Sequence, residues 1–371
     1  MTETLTVYAY NVLFGDAILV EVPDGGRPRF ILIDIGNVRS GRGGEDQALL
    51  DAMDRIIDRT GGHIDLYIMT HEHLDHVQGL LHAKLNGRNL RIDTVWMTAS
   101  ADPNYRERHP QAEKKRLELL NALQAFQTLL GASERSTELA RILAINNANK
   151  TADCVDYIRQ SGNAVHYLYR GASVEGRHTF TEAKLRILAP EEDTSVYYAS
   201  VKAHLTVADG SSVAAPAPAR PLPPPGIDGG AFYELIDRMD GGLAESLFAI
   251  DQAANDTSLV VELTWHDRRL LFAGDAEQKS WQMMANRADL QPVDLLKVGH
   301  HGSRNGTPPP RILDLVLPRE RRRAAAAILS THSRVYEGVP DPPTLAELER
   351  RTGKVYRTTK VKRGAPVVVS F

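Results

Sequence analysis

LYIMTHEHLDH, residues 66–76, is an apolar run that stops at a threonine and is followed by His71, His73, Asp75 and His76 within six positions. The run up to Met69 suits a buried strand of a sandwich, and Asp75 ahead of HVQGLL suits the start of a helix. The cluster therefore falls on a strand-to-helix turn. His71 and His73, two residues apart in extended chain, point the same way and can share one cation. Asp75 and His76 begin a new direction and can hold a second. Imidazole and carboxylate suit zinc, manganese or iron, and two such ions roughly 3.5–4 Å apart can hold a bridging hydroxide, the candidate nucleophile. A lone histidine pair at a strand end is more often structural, but four ligand types in six residues point to a metal site.

Composition fits that reading without refining it. The chain has 371 residues, 42% hydrophobic and 25% charged, as expected of an ordinary globular protein with one large core or two small ones. A single cysteine, Cys154, excludes an intramolecular disulfide framework and fits a reducing compartment. The N-terminus MTETLTVYAY has no basic segment followed by an apolar one, and no stretch approaches the roughly 18 apolar residues of a membrane span. A soluble, cytoplasmic protein is expected, with no membrane partner. A formal charge of −3 gives no global attraction to nucleic acid, so a polyanion would have to be held by local patches and bound cations.

Before the motif, TVYAY, AILVEV and FILIDIG read as a β meander broken at Gly15–Asp16 and at the PDGG turn of residues 23–26. Asp34 ends the third run, where it is either a turn aspartate or a carboxylate reaching the metal ligands. Residues 45–59 have the spacing of an amphipathic helix, and RIDTVWMTA from Arg91 that of a strand with Trp96 in the core.

Residues 102–241 look like an insertion within one catalytic domain spanning 1–371. Helix is expected at 111–143, with Lys114, Lys115 and Arg116 forming a solvated face or, alternatively, a phosphate-facing patch. Strand-like AVHYLYR and LRILAP follow. Residues 208–230, ADGSSVAAPAPARPLPPPGIDGG, are too rich in proline, alanine and glycine to bury a core and read as a mobile loop.

Beyond the insertion, SLVVEL and RLLFAG flank a WHDR turn, a hairpin that delivers Asp275. A carboxylate there could bridge two cations, one oxygen to each. VDLLKVGHHGSRNGT then delivers His300 and His301. Spacing favours His301 as a ligand and leaves His300 as ligand, supporting group or proton donor. Ser303, Arg304 and Asn305 are either turn formers or binders of an anionic substrate group. His332 ends the strand AAAAILSTHS and is a candidate substrate contact.

THEHLDH, the later GDA and the HHGS phrase together resemble the metallo-β-lactamase superfamily. NVLFGDAILVEV, ILIDIG and HHGS resemble, more narrowly, the ComEC-like hydrolase domains of bacterial DNA-uptake proteins. The resemblance covers roughly residues 5–100 and 250–371. It implies a four-layer αββα sandwich with two divalent ions, zinc or manganese and less readily iron, at one edge between the sheets. It makes Asp275 the metal-bridging aspartate, and it places Asp34 beneath the metals as the residue that orients them. The chain departs from the wider superfamily where a PGH histidine completes the first metal. AANDTS stands there, so Asp256 or Asn255 substitutes or that metal is held weakly. RVYEGVP, residues 334–340, also lacks the asparagine and histidine of the group's NxYGHP motif. The implied activity is phosphodiester hydrolysis, on nucleic acid or nucleotides. Alternatives are hydrolysis of a small ester, thioester or lactam, and a metal-binding sensor or interaction module that has lost activity.

Overall fold

The computed structural model describes residues 4–37, 44–112, 114, 148–198, 251–332 and 339–371. Apart from 111, 112 and 114, the helix expected at 111–143 lies outside the described residues. So do the loop expected at 208–230 and residues 334–338 of the RVYEGVP segment.

The N-terminal meander forms β1 (Thr6–Tyr10), β2 (Ala17–Asp24) and β3 (Arg27–Ile35), paired antiparallel. Direction then changes. Helix α1 (Glu45–Thr60) crosses over so that β4 (His63–Met69) lies parallel to β3, and α2 (Leu74–Leu85) does the same for β5 (Arg91–Thr98). Helix α3 (Ala148–Ser161) leads to β6 (Gly162–Leu168), parallel to β5. A last strand pairs with β1, giving a seven-stranded sheet ordered β13-β1-β2-β3-β4-β5-β6, with β13 at Pro366–Ser370.

The second sheet has six strands. The hairpin β8 (Val260–Trp265) and β9 (Arg268–Phe272) is flanked by β7 (Ala183–Ala189) on one side. On the other side β10 (Leu295–Lys297), β11 (Ala326–Leu329) and β12 (Lys354–Arg357) follow in parallel. The helices α4 (Gln278–Asn286), α5 (Pro310–Val316) and α6 (Pro342–Arg351) accompany it.

Period-two alternation explains the layers. Ile31, Ile33, Leu66 and Ile68 pack inward with Val261, Leu263, Leu270 and Phe272 between the sheets, and Trp96 joins them fully buried. The intervening Leu32, Tyr67 and Met69 face outward onto Met53 and Ile56 of α1, Val77 and Leu80 of α2 and Ile158 of α3. Leu271, Leu296 and Ala327 of the second sheet meet Trp281, Ile312, Leu313 and Leu348. The result is the expected helix–sheet–sheet–helix sandwich. Fully burying each such aliphatic side chain contributes about 1.5–3 kcal/mol before ordering costs. No helix among the described residues is long and apolar enough to cross a membrane.

Two further bonds fasten the sheets where the motif emerges. Leu259 N–H donates to Thr70 O at 2.9 Å, and Thr98 Oγ1 donates to Thr257 O at 2.8 Å. The carboxyl ends of β3, β4, β9 and β10 therefore meet at one edge.

Candidate metal centre

Backbone crowding shapes this edge first. A Cβ on Gly36 would lie 2.5 Å from the Asp75 carbonyl carbon and 2.6 Å from His76 N, so only glycine lets the end of β3 touch the first turn of α2. Gly15, at φ +145, would place a Cβ 2.3 Å from Gly36 O and 2.7 Å from Asp75 O. Three backbone segments are thereby tied together: Asp16 N–H donates to Asp75 O at 3.2 Å, and Gly36 N–H to Asp16 O at 2.9 Å.

Side chains then fix which nitrogens face inward. Asp34, fully buried at φ +51, accepts from Thr70 N–H at 2.8 Å and from Thr70 Oγ1 at 2.6 Å. It also sits 2.8 Å from His76 Nδ1. A carboxylate only accepts, so His76 carries its proton on Nδ1 and presents Nε2 to the edge. The Thr70 hydroxyl has given its one proton to Asp34, so at 3.1 Å it accepts from His71 Nδ1. His71 too presents Nε2. His301 Nδ1 lies 2.8 Å from the Ser330 carbonyl, which forces the same tautomer, and the Phe14 ring packs 4.0 Å from the imidazole.

These atoms converge. Asp75, His76, Asp275 and His301 each offer an atom within 4.8 Å of the others, and all four residues are buried. His301 Nε2 is 3.2 Å from Asp75 Oδ2 and 3.5 Å from Asp275 Oδ2, and His76 Nε2 is 3.3 Å from that same Asp275 oxygen. The His71 ring lies 4.6 Å from His73 and 4.3 Å from His76. His71 Nε2, His73 Nε2, His76 Nε2 and Asp75 Oδ1 are buried without a hydrogen-bond partner. Orphaned polar atoms in such density are costly unless a cation satisfies them. The nitrogen and oxygen donors fit zinc, manganese or iron.

The two oxygens of Asp275 have different surroundings. Oδ1 accepts from His300 N–H at 3.0 Å and sits 3.4 Å from Lys297 Nζ, leaving Oδ2 to face the histidines. Lys297 is 1% exposed and also donates to Gly274 O at 2.9 Å and pairs with Asp16.

Asp256, expected as a replacement ligand, is engaged elsewhere. Its Oδ1 accepts from Glu277 N–H and Ser280 N–H, both at 3.0 Å, at the start of α4. Burial and the Glu277 charge push its pKa up to about 6. Asn255 stands in the substituted place: Nδ2 donates to Glu277 Oε1 at 2.9 Å, and Oδ1 is buried with no hydrogen-bond partner. One helical turn earlier, Asp251 Oδ1 lies 3.9 Å from His73 Nε2. His300 Nδ1 is 2.8 Å from Glu277 Oε1. Burial pulls the His300 pKa down, but Glu277 reverses this and holds it at about 10.

Ser303 is buried, its hydroxyl accepting from Gly306 N–H at 3.0 Å, so it shapes the turn. Arg304 and Asn305 are exposed beside it. His332 is half-buried after β11 and is not part of the cluster.

Electrostatically the edge draws positive charge. Burial would lower the His76 pKa, but Asp275, Asp34 and Asp75 hold it well above the usual value. Burial would raise the Asp275 pKa, and His76, His301 and Lys297 instead keep it well below the ordinary range. The His71 pKa is well below normal through burial and the neighbouring His76 and His73.

Sequence reasoning missed Asp16, Thr70, Asp251, Glu277 and Lys297. A lysine inside the apolar run DLLKVG was the available signal, since a buried cation requires a buried anion. Asp251 lies four residues before Asn255, a helical spacing that would have placed both on one face.

No protein-family model matches the sequence, and no curated protein matches it. Among solved structures, the chain aligns with the metallo-beta-lactamase fold protein YhfI from Bacillus subtilis at a TM-score of 0.40 and 9% identity, over 99% of this chain and 100% of that one. It aligns with a mutant of the CmlA beta-hydroxylase at a TM-score of 0.40 and 11% identity, covering 100% of this chain and 54% of that one. Overlap at this level carries no argument about activity; the site itself must supply it.

Proposed function

We propose that the chain is a metal-dependent hydrolase of the metallo-β-lactamase type, acting on phosphodiesters. The observation that carries the reading is the convergence of buried, unmatched imidazole Nε2 and carboxylate atoms from both sheets on one edge. Asp75, His76, Asp275 Oδ2 and His301 would hold one divalent cation. His71 and His73 would hold the other, with oxygen from Asp251 or Asn255 in place of the superfamily's histidine. Bound there, the cations would supply Lewis-acid polarisation of the scissile group and a lowered pKa for attacking water.

The chain's own residues do the rest. Asp34 keeps the His76 proton on Nδ1, and Thr70 does the same for His71. Lys297 and the His300 amide hold Asp275 Oδ1, so its other oxygen stays turned to the site. Charged by Glu277, His300 is suited to protonate a leaving oxygen. A phosphodiester is favoured because His300, next in the chain to His301 and paired with Glu277 at 2.8 Å, would meet an anionic substrate at the cluster.

The test is metal content, followed by hydrolysis of bis(p-nitrophenyl) phosphate by stripped protein given zinc or manganese, with Asp75→Ala as control. Two metals per chain and turnover that needs both metal and Asp75 support the reading. Two metals with turnover only on esters or lactams would move the substrate class. A protein that takes up no metal under any loading would refute the hydrolase reading and leave an interaction module.

A further inference from the structure

A second feature borders the candidate centre without belonging to it. Between the loop that follows His301 and the first turns of α6 lies a groove of about 550 Å³, within the range of small-ligand sites. Its position relative to the centre is fixed at two points. Asp341 N–H, just ahead of α6, donates to Gly302 O at 2.9 Å, and Gly302 is the neighbour of His301. Arg304, on the groove wall, is three residues from His301, so their Cα atoms are no more than about 11 Å apart.

The wall is rigid. Gln278 Nε2 donates to Arg304 O and Thr307 O at 3.2 and 2.9 Å, and Trp281 Nε1 donates to Gly306 O at 3.0 Å. The loop carbonyls are therefore bound to α4. Charge in the groove is unequal. Asp341 Oδ2 accepts from Thr344 N–H at 2.8 Å as the cap of α6, and Glu347 is bonded by Arg319, Arg350 and Arg351. Both carboxylates are thus engaged within the chain. Arg304 is exposed, and its guanidinium makes no hydrogen bond or ion pair among the described residues. Pro309, Leu313 and Pro343 give the groove an apolar part of its lining. An uncommitted guanidinium in a groove that also has apolar lining matches an anion that carries a flat ring.

We propose that this groove binds a nucleotide unit adjacent to the scissile phosphate, with its phosphate on Arg304 and its base against the proline-lined wall. The proposal rests on the phosphodiesterase reading and narrows the substrate to a nucleic-acid strand or a dinucleotide with a terminal phosphate. It makes Arg304 the residue that separates such substrates from small diesters, which do not extend into the groove.

Two measurements test it on the full-length, metal-loaded protein. The first compares kcat/KM for thymidylyl-thymidine carrying a terminal 5′-phosphate and for bis(p-nitrophenyl) phosphate in wild type, Arg304→Ala, Arg304→Lys and Asn305→Trp. Loss of a charge-assisted phosphate contact corresponds to about a 10- to 100-fold effect. The ratio of dinucleotide to small-diester activity should fall at least tenfold in Arg304→Ala, through KM. It should recover in part in Arg304→Lys and fall again when the Asn305→Trp indole fills the groove. Ratios unchanged within twofold in both Arg304→Ala and Asn305→Trp would overturn the proposal. The second measurement is anisotropy of a fluorescein-labelled twelve-residue oligothymidylate, which does not need turnover. Weakening of at least tenfold in Arg304→Ala is expected, and wild-type protein that does not bind it would overturn the groove assignment. Wild type that binds the oligonucleotide but hydrolyses neither diester would instead refute the phosphodiesterase reading on which the proposal rests.

Discussion

Lys297 is the residue whose replacement reveals most about how the edge is held. Its ammonium is 1% exposed and touches Asp16, Gly274 O and Asp275. Lys297→Met keeps most of the length of the side chain and removes its charge. Asp16 is then left 1% exposed with only His76 Nδ1 near it, 3.9 Å away and already bonded to Asp34, and its Oδ1 already lacks a hydrogen-bond partner. Removing one member of a buried pair costs about 3–5 kcal/mol, a large share of a typical stability of about 5–15 kcal/mol. Adding Asp16→Asn removes the stranded charge and should restore about 2 kcal/mol or more, so the two changes are strongly non-additive. Burial alone would lower the lysine's pKa, but Asp16 and Asp275 more than offset it and raise it above 10.5. A group raised on folding gives its full contribution below its unfolded value and loses it only as pH climbs through the folded one. The destabilisation should therefore be the same at pH 6 and pH 9. Urea unfolding followed by circular dichroism and tryptophan fluorescence, in chelator so that metal linkage is absent, measures all three variants. A Lys297→Met protein within 1 kcal/mol of wild type would refute the buried-pair account.

Asp34→Asn presents an amide where His76 Nδ1 needs an acceptor, and should weaken metal binding about 10- to 100-fold, read by competition with a chromophoric chelator. Gly36→Ala drives a Cβ into the α2 backbone at 2.5 Å and should cost about 3 kcal/mol in denaturant unfolding while also disturbing metal uptake. Glu347 should make the α6 end acid-sensitive. Burial raises its pKa, but bonds from Arg350, Arg351 and Arg319 outweigh this and bring it to about 2. Because the folded value is depressed, the contribution is present above 4.5 and is lost as pH falls towards 2. Unfolding at pH 7 should show Glu347→Gln weaker by about 1–2 kcal/mol, and the gap should close near pH 2.

What could be read from sequence was whatever repeats locally. The apolar run before Thr70, the alternation in FILIDI and the two β runs around WHDR each declared a strand, and the structure has β4, β3, β8 and β9 there. The four-layer architecture came from the resemblance carried by THEHLDH, GDA and HHGS. Pairings between distant residues had no local signature. Lys297 and Asp16 are 281 positions apart, and nothing near either names the other. Asp256 was open because a carboxylate at a ligand-bearing place looks the same in sequence as one that caps a helix. The Glu277 and Ser280 amides, from which its Oδ1 accepts, lie more than 20 positions away and have no signature beside it. Ser303 was open for the same reason, and its hydroxyl accepts from the Gly306 amide within the turn.

The groups that meet at the edge are far apart along the chain: His301 and Asp75, 3.2 Å apart in space, are separated by 226 residues. A cation held between them would act as a reversible cross-link between the two sheets. Each tenfold rise in free metal above the dissociation constant would then add about 1.4 kcal/mol to the folded state. The supply of metal in the surroundings would set how long an intact molecule survives proteases, independently of any reaction it performs.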